Sequence, residues 1–556
     1  MKRKILSFVL ATGIFVSCQQ EESTTSFTNE TTTKVLPAET SETVNSDALA
    51  LVALTGQTHI SAKEAQETAL FTATQMREVE GIVTKSPLQI ASTEVVTADS
   101  RKPYVPTKSS EQEQADVYVI NFANNQGYVV TSADRRVPGV LAYNSHGTLG
   151  NTPNNPGQAI LFEYIEDYIN QEREIFEKNK ENLKAQAEEL IFKQLPKIKQ
   201  EKLVEQGYFD KNGKRIKTKS SSEGMNFNSH EEYREWFCSV YGVDITFTSW
   251  HPQMDDYKRE LENGYRKEEH WRIEHKVAPL LKTLWGQGRE YNNMVSLKCN
   301  NDDEAPVGCV ATAVGQLMAY HKKPAVFKGR TMHWNEMTKV DNGDMFSNIY
   351  SFGVSNNPTA KEDIQYLLAK LGDGDLLDMN YGCDASSSNI DKAKRTFSQL
   401  GYDVTKAGGN IWRAIDQIKN KQPVYIRGCR TKVKNKFLGI NIYTSYEDCH
   451  AWVIDGYVQM RQPVRTFYVY TCYDDLIASY EVHSSNIFEL VHQNFGWGEG
   501  SLFLDGSLRK YGIENDNSGW YRAGIFDANL NQYGSSSYKS GSAHDYKYDN
   551  EMLFIK

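Results

Sequence analysis

The stretch Ala305-Pro-Val-Gly-Cys-Val-Ala-Thr-Ala-Val-Gly-Gln-Leu-Met-Ala-Tyr-His321 decides how the rest of the chain is read. Pro306 and Gly308 interrupt any earlier regular element. Val310, Ala313, Val314, Leu317, Met318 and His321 then recur at three- and four-residue steps, which marks one apolar face of a helix. Pro324 stops it. The helix therefore begins at Cys309. A thiol in that place faces the positive end of the aligned peptide dipoles and unpaired N–H groups, which favour the thiolate and lower its pKa. Cys309 is accordingly a candidate nucleophile. The alternative, a small buried core cysteine, has to be weighed against the remainder of the chain.

At 556 residues the chain is too long for one ordinary core and suggests about three or four units. A formal net charge of −9 gives no long-range attraction for phosphate backbones, and no interior run approaches the roughly 20 apolar residues that span a bilayer. Nucleic-acid and integral-membrane roles are both disfavoured. At the N-terminus, Lys2, Arg3 and Lys4 precede an apolar run from Ile5 to Val16, the order of a secretory signal. Phe15-Val-Ser-Cys18 resembles a bacterial lipobox, which implies lipidation of Cys18, and the Gln-Gln-Glu-Glu-Ser after it is similar to surface-export signals of bacterial lipoproteins. A plain secreted protein cut near this point is the alternative. Seven further cysteines, Cys238, Cys299, Cys309, Cys383, Cys429, Cys449 and Cys472, leave at least one thiol unpaired in an exported protein. None has C-x-x-C metal or redox spacing.

Residues 19–48 are rich in Thr, Ser, Glu and Asn and read as a disordered tether. A first folded unit starts at Ser61-Ala-Lys-Glu, an N-capped helix running through Ala65, Ala69 and Thr72 to Met76. Val117 to Phe122, a turn at Asn124-Asn-Gln-Gly127 and Tyr128 to Ser132 form a hairpin, followed by a strand at Val140-Leu-Ala-Tyr143. Apolar positions from Ile160 to Ile191 punctuate a Glu/Lys-rich run, giving one or two amphipathic helices that end before Pro196. Lys211 to Ser222 is basic, polar and aperiodic, and reads as an exposed linker, so any proteolytic cut in this part of the chain is expected between it and His275. Residues 225–274 carry no assignable pattern. Strand grammar returns at Gln422 to Ile426, His450 to Ile454 and Phe467 to Thr471, and Glu551 to Lys556 reads as a closing strand.

Gly308-Cys-Val-Ala-Thr-Ala-Val-Gly-Gln-Leu-Met-Ala-Tyr-His321 resembles the active-site segment of the streptopain family of bacterial cysteine peptidases. Cys449-His-Ala-Trp-Val-Ile-Asp-Gly-Tyr457 is similar to that family's histidine motif, and Val491-His-Gln-Asn-Phe-Gly-Trp-Gly498 to its His-x-Asn-Trp-Gly-Trp-Gly signature. The resemblance implies a thiolate-imidazolium pair between Cys309 and His450, with Asn494 orienting the ring. It also implies that Gln287, in Trp-Gly-Gln-Gly288, donates to the oxyanion. His450 lies 141 residues beyond Cys309, within the roughly 130 to 150 of papain-type enzymes. Phe495 stands where the family has tryptophan, and Cys449 where it has a glycine that offers backbone to substrate. By the same likeness Tyr381 to Ser388 lines the cleft, which makes Ser386, Ser387, Cys449, Phe495 and Trp497 candidate substrate contacts. Each of these has a plainer reading: His450 as a satisfied core residue, Gln287 and Asn494 as turn residues, Cys449-His450 as half of a metal site lacking its second pair.

The expected fold is thus α+β, a papain-like peptidase with a helical lobe and a β-rich lobe, preceded by a small α+β prodomain. Its expected divisions are 1–18 signal with lipobox, 19–48 tether, 49–157 inhibitory prodomain, 158–276 helical and linker segment holding the processing site, and 277–556 peptidase. The prodomain assignment rests on its resemblance to the streptopain type, in Gly127 to Asp134 and Val140 to Tyr143; otherwise it reads as any small α+β binding module. The expected function is a cysteine endopeptidase made as a zymogen and exported to the outer membrane or cell surface. No metal or organic cofactor is implied, its partners are protein or peptide substrates and its own prodomain, and its membrane contact is a lipid anchor alone. An acyl transferase or transpeptidase on the same fold and a non-catalytic surface binding lipoprotein are the rivals.

Overall fold

The computed structural model describes residues 49–82, 87–97, 101–104, 115–137, 139–149, 156–195, 197–216, 229–241, 243–244, 272–288, 291–299, 304–338, 357–437, 440–461, 465–471, 476–482, 487–497, 518–526 and 550–556. The signal, Cys18, the tether, and most of the segment from 217 to 271 lie outside them.

Alternating side chains build one long sheet. Its twelve strands, in chain order, are β1 (Ile90–Val96), β2 (Arg101–Pro103), β3 (Val117–Phe122), β4 (Tyr128–Ser132), β5 (Val140–Asn144), β6 (Arg272–Val277), β7 (Val404–Gly408), β8 (Val424–Phe437), β9 (Ile440–Arg461), β10 (Ile487–Asn494), β11 (Gly519–Arg522) and β12 (Glu551–Ile555). They lie in the order β7-β12-β8-β9-β10-β11-β5-β4-β3-β1-β2, with β6 also on β9, and every pair is antiparallel. In the central strands Tyr425, Ala451, Val453, Leu553 and Ile555 face one core, while Val424, Ile426, Trp452, Ile454, Met552 and Phe554 face another. This two-residue period buries both faces of the sheet.

The first core holds the helix read from sequence, α3 (Cys309–His321), so the helical lobe meets the β-rich lobe as expected. More than one face of it is covered: every residue from Val310 to Ala319 is buried. Small residues on the far side permit this, since a Cβ at Gly315 would sit 2.8 Å from Leu368 in the helix α4 (Pro358–Leu371). Phe467 to Thr471 is a strand but not part of the main sheet; it belongs to a separate three-stranded sheet with 476–482 and 243–244.

The N-terminal unit is built as its local signals require. Ser61 accepts the backbone N–H of Glu64 and caps α1 (Ala62–Glu80). Gly127, at φ +96°, lies so near the Asn144 carbonyl that a Cβ would fall 1.9 Å from it. Helix α2 (Pro156–Gln194) is a single helix, and its Arg173 bonds Asp134 at 2.7 Å and Asp116 at 2.8 Å. What sequence did not foresee is the seam. β5 pairs with β11 through Tyr143↔Trp520 and Ala142↔Tyr521, so one sheet runs through both units. The Asn144 side chain donates to the Ser518 carbonyl at 2.7 Å, and the Trp520 indole N–H donates to Glu80 at 2.8 Å. Trp520 is wholly buried in the core of the N-terminal unit, a contribution on the order of 3 kcal/mol.

Burial, His492 and Arg77 together hold His146, beside this seam, down at about 4. A histidine kept neutral in the fold stabilises it above the ordinary value near 6.5, and that stability is lost as pH falls from there towards 4. Glu80, raised chiefly by burial, works in the opposite sense. Comparing His146→Gln with the parent isolates the histidine, because both retain Glu80. The unfolding midpoint of the parent is expected to drop more steeply between neutral and acid pH than that of the variant; parallel slopes would refute this assignment.

Candidate active site

Gly308 admits the chain to α3. At φ +88° it occupies a region glycine enters without penalty, and a Cβ there would lie 2.4 Å from Met379 Cε and 2.8 Å from the Ser386 carbonyl. Thr312 Oγ1 donates back to the Gly308 carbonyl at 3.1 Å, and the Val307 N–H donates to the Gln287 carbonyl at 2.8 Å. Cys309 is therefore set at the helix N-terminus by a passage too narrow for any side chain.

Among the described residues Cys309 is the free thiol. Cys299 is joined to Cys383 and Cys429 to Cys449, and Cys238 is also oxidised. Burial pushes the Cys309 thiol up, while the backbone N–H groups of Ala451, of Val310 and of Cys309 itself, with the charge of Arg427, pull it down without cancelling that effect. The expected low pKa is thereby corrected: the helix terminus acts as anticipated, but desolvation outweighs it.

Ala451 follows His450 on β9, so the sulfur is brought to the strand that carries the histidine. The His450 ring is 2% exposed, and its Nε2 is 2.8 Å from the Phe495 carbonyl. A carbonyl only accepts, so the neutral ring carries its hydrogen on Nε2 and leaves a lone pair on Nδ1. Trp452 and Trp497 stack on it at 5.8 and 5.9 Å between centroids. Burial lowers its pKa to about 4 against the opposing pull of the Phe495 carbonyl. Both candidate partners are thus held neutral.

Asn494 departs from expectation. Its Nδ2 donates to the Thr283 carbonyl at 2.8 Å and its Oδ1 accepts from Gln316 Nε2 at 3.1 Å. The ring is instead held by the backbone of the next residue. Phe495 differs as well: its side chain is fully buried against Trp452 and Tyr521, behind the imidazole rather than on a cleft wall. Gln287 is buried and donates to the Gly496 carbonyl at 3.4 Å, a long bond. Trp497 is half-buried. Gly498 to Gly500 lie outside the described residues.

Disulfide Cys299–Cys383 fastens the 381–388 loop to the approach to Cys309. Ser386 there turns its carbonyl towards Gly308, and its hydroxyl accepts the Gly382 N–H at 3.4 Å. Ser387 exchanges backbone bonds with Asn380 at 2.9 and 3.0 Å. Cys449 lies directly opposite Cys429 and is spent in a disulfide, which removes the metal-ligand alternative and leaves its backbone as the part able to meet substrate. Arg427 Nη2 donates to the Cys449 sulfur at 3.1 Å. Among the described residues no three His, Cys, Asp or Glu side chains gather as a metal site.

Sequence reasoning missed Gln316, Thr283 and Arg427. Gln316 had a signal: it is the amide in an otherwise apolar helix, seven residues and so two turns beyond Cys309. A buried carboxamide needs partners, and finding them identifies what the helix is bound to.

Comparison with known proteins gives matches to two families. Residues 285–501 match the Peptidase C10 family, and residues 59–169 match the Spi protease inhibitor family. The thiol protease/hemagglutinin PrtT of Porphyromonas gingivalis is 36% identical over 70 residues, which is 11% of this chain and 8% of that protein, so the chain spans less than a tenth of that relative. Among solved structures, a prointerpain A fragment of Prevotella intermedia aligns over 80% of this chain and 96% of its own at 15% identity and a TM-score of 0.37. Active interpain A from the same organism aligns over 50% and 95% at 18% identity and a TM-score of 0.28. Residues 285–501 are thus a Peptidase C10, or streptopain-family, domain, with a Spi-inhibitor-type region before it.

Proposed function

We propose that this protein is the proenzyme of a cysteine endopeptidase, exported as a lipoprotein anchored through Cys18. The observation that carries the reading is a free thiol at a helix N-terminus whose sulfur takes the N–H of Ala451, the residue next to a histidine whose hydrogen is fixed on Nε2 and whose Nδ1 is left to take a proton. Membership of residues 285–501 in a peptidase family supports it.

The chemistry follows from those atoms. Cys309 gives its proton to Nδ1 of His450 and the sulfur attacks the substrate carbonyl carbon. The oxygen that gains the charge is held by the backbone N–H of Cys309 and by Gln287 Nε2, which exchanges its long bond to Gly496 for one to the oxyanion. The tetrahedral species collapses as Nδ1–H protonates the leaving amine, leaving a thioester. Water then attacks, passing its proton to Nδ1, and the acid departs as the thiol is restored. Disulfide Cys299–Cys383 and the Ser386 carbonyl form one wall beside Gly308, where the acyl portion of the substrate would lie. The unit within 49–157 acts as the intramolecular inhibitor, supported by the match of 59–169 to a protease-inhibitor family, and the cut that releases it falls within 158–276.

Cys309→Ala is expected to abolish both cleavage of an unfolded protein and self-processing, read by gel and by mass; undiminished cleavage by that variant would sink the proposal. Gln287→Ala is expected to lower kcat by about 10²- to 10³-fold with little change in KM, the scale of one oxyanion donor, as measured by steady-state kinetics on a peptide.

A further inference from the structure

Gln316 lies two turns along α3 from Cys309 and is wholly buried. A carboxamide in an apolar core is costly unless its donors and acceptors are met, so the partners it finds are fixed in place by it as much as it is by them. Its Oε1 accepts from Thr283 Oγ1 at 2.9 Å and from the Trp285 backbone N–H at 3.1 Å. Its Nε2 donates to Asn494 Oδ1 at 3.1 Å, and Asn494 returns the chain of bonds to Thr283 by donating to its carbonyl at 2.8 Å. Three segments distant in sequence thus close into one ring of hydrogen bonds around a single side chain.

Each segment leads directly to one part of the proposed catalytic apparatus. Gln316 shares its helix with the nucleophile. Trp285 is two residues before Gln287. Asn494 immediately precedes Phe495, whose carbonyl fixes the His450 tautomer. The loop beyond is clasped on the same side: a Cβ at Gly496, at φ +72°, would lie 3.0 Å from Thr312 and 3.7 Å from Gln316 Nε2.

We propose that Gln316 is a positioning residue for the reaction, a buried clamp that sets the distance and aim of Cys309, Gln287 and the Phe495–His450 pair relative to one another. It touches no substrate; it acts through Asn494 on the carbonyl that holds the imidazole and through Trp285 on the oxyanion donor. The proposal rests on the peptidase reading above.

The test compares full-length protein, allowed to process itself, carrying Gln316→Met, Gln316→Glu or Thr283→Val. Gln316→Met keeps length and loses every bond. Gln316→Glu keeps shape but sets an oxygen against Asn494 Oδ1. Thr283→Val is close to isosteric and removes one donor to Gln316, so it keeps the question open should the first two fail to fold. Leu368→Ala, in the same core, is the control for stability alone. Three readouts are taken: kcat and KM on a peptide, the pH profile of Cys309 alkylation by a thiol-directed epoxide, and the unfolding midpoint. The Gln316 variants are expected to lose about ten- to a hundredfold in kcat at nearly unchanged KM, the scale on which second partners of functional histidines act in metal sites. The acid limb of their alkylation profile moves to higher pH, because a less firmly aimed imidazole gives the thiolate a weaker partner. Thr283→Val moves the same way by less, and Leu368→Ala lowers the midpoint with kcat and profile retained. The proposal is overturned if Gln316 variants keep the parent kcat and profile, or if all four substitutions lose activity in step with their midpoints. Should the parent show no Cys309-dependent cleavage, the peptidase reading fails by itself, and the alkylation profiles still decide the role of Gln316.

Discussion

The hydrogen bond from His450 Nε2 to the Phe495 carbonyl is the constraint on which the site depends. It assigns the tautomer, and with it the nitrogen free to exchange a proton with sulfur. A main-chain carbonyl can do this only if the main chain is immobile, and each neighbour of Phe495 contributes to that. Its own N–H donates to Ser518 Oγ at 3.0 Å, the carbonyl of Gly496 accepts from Gln287, and Trp497 backs its carbonyl against Gly286. The Phe495 ring fills the second core between Trp452 and Tyr521. The aim of the imidazole is therefore a property of the packed interior, and no rotamer freedom has to be frozen in the group that does the holding.

Local signals were legible in the sequence because their causes are local. The cap at Ser61, the turn at Gly127 and the helix start after Gly308 each depend on a few consecutive residues, and each was read at its place. The odd thiol was likewise legible from counting, and it proved to be Cys309 among the described residues. What sequence hid was pairing across distance. Asn494 and Phe495 are adjacent, and nothing in their order reveals that the first turns its amide to Gln316 while the second offers its backbone to His450. The register that sets Cys429 against Cys449 is equally non-local. Desolvation was the largest miss, since the lift in the Cys309 pKa comes from everything packed around it and not from the helix it begins.

That lift bears on reactivity. Forming a thiolate and an imidazolium where both groups are desolvated costs free energy before their attraction repays it, so desolvation favours the neutral members. Cys309 raised and His450 lowered both point to the neutral form. Water admitted to the site lowers the cost of both charges and shifts the pair towards the ionised form a nucleophile needs.

The seam bears on how such a change could come about. Cutting the chain between the N-terminal unit and the peptidase severs one covalent link, yet the β5–β11 pairing, the Asn144–Ser518 bond and the buried Trp520 indole all survive the cut. Separating them exposes an edge of unpaired backbone groups on β11 and returns an indole to water. On the proposed function, cleavage and release would therefore be distinct events, the second set by a sheet edge beside which His146 and Glu80 respond to acid in opposite directions.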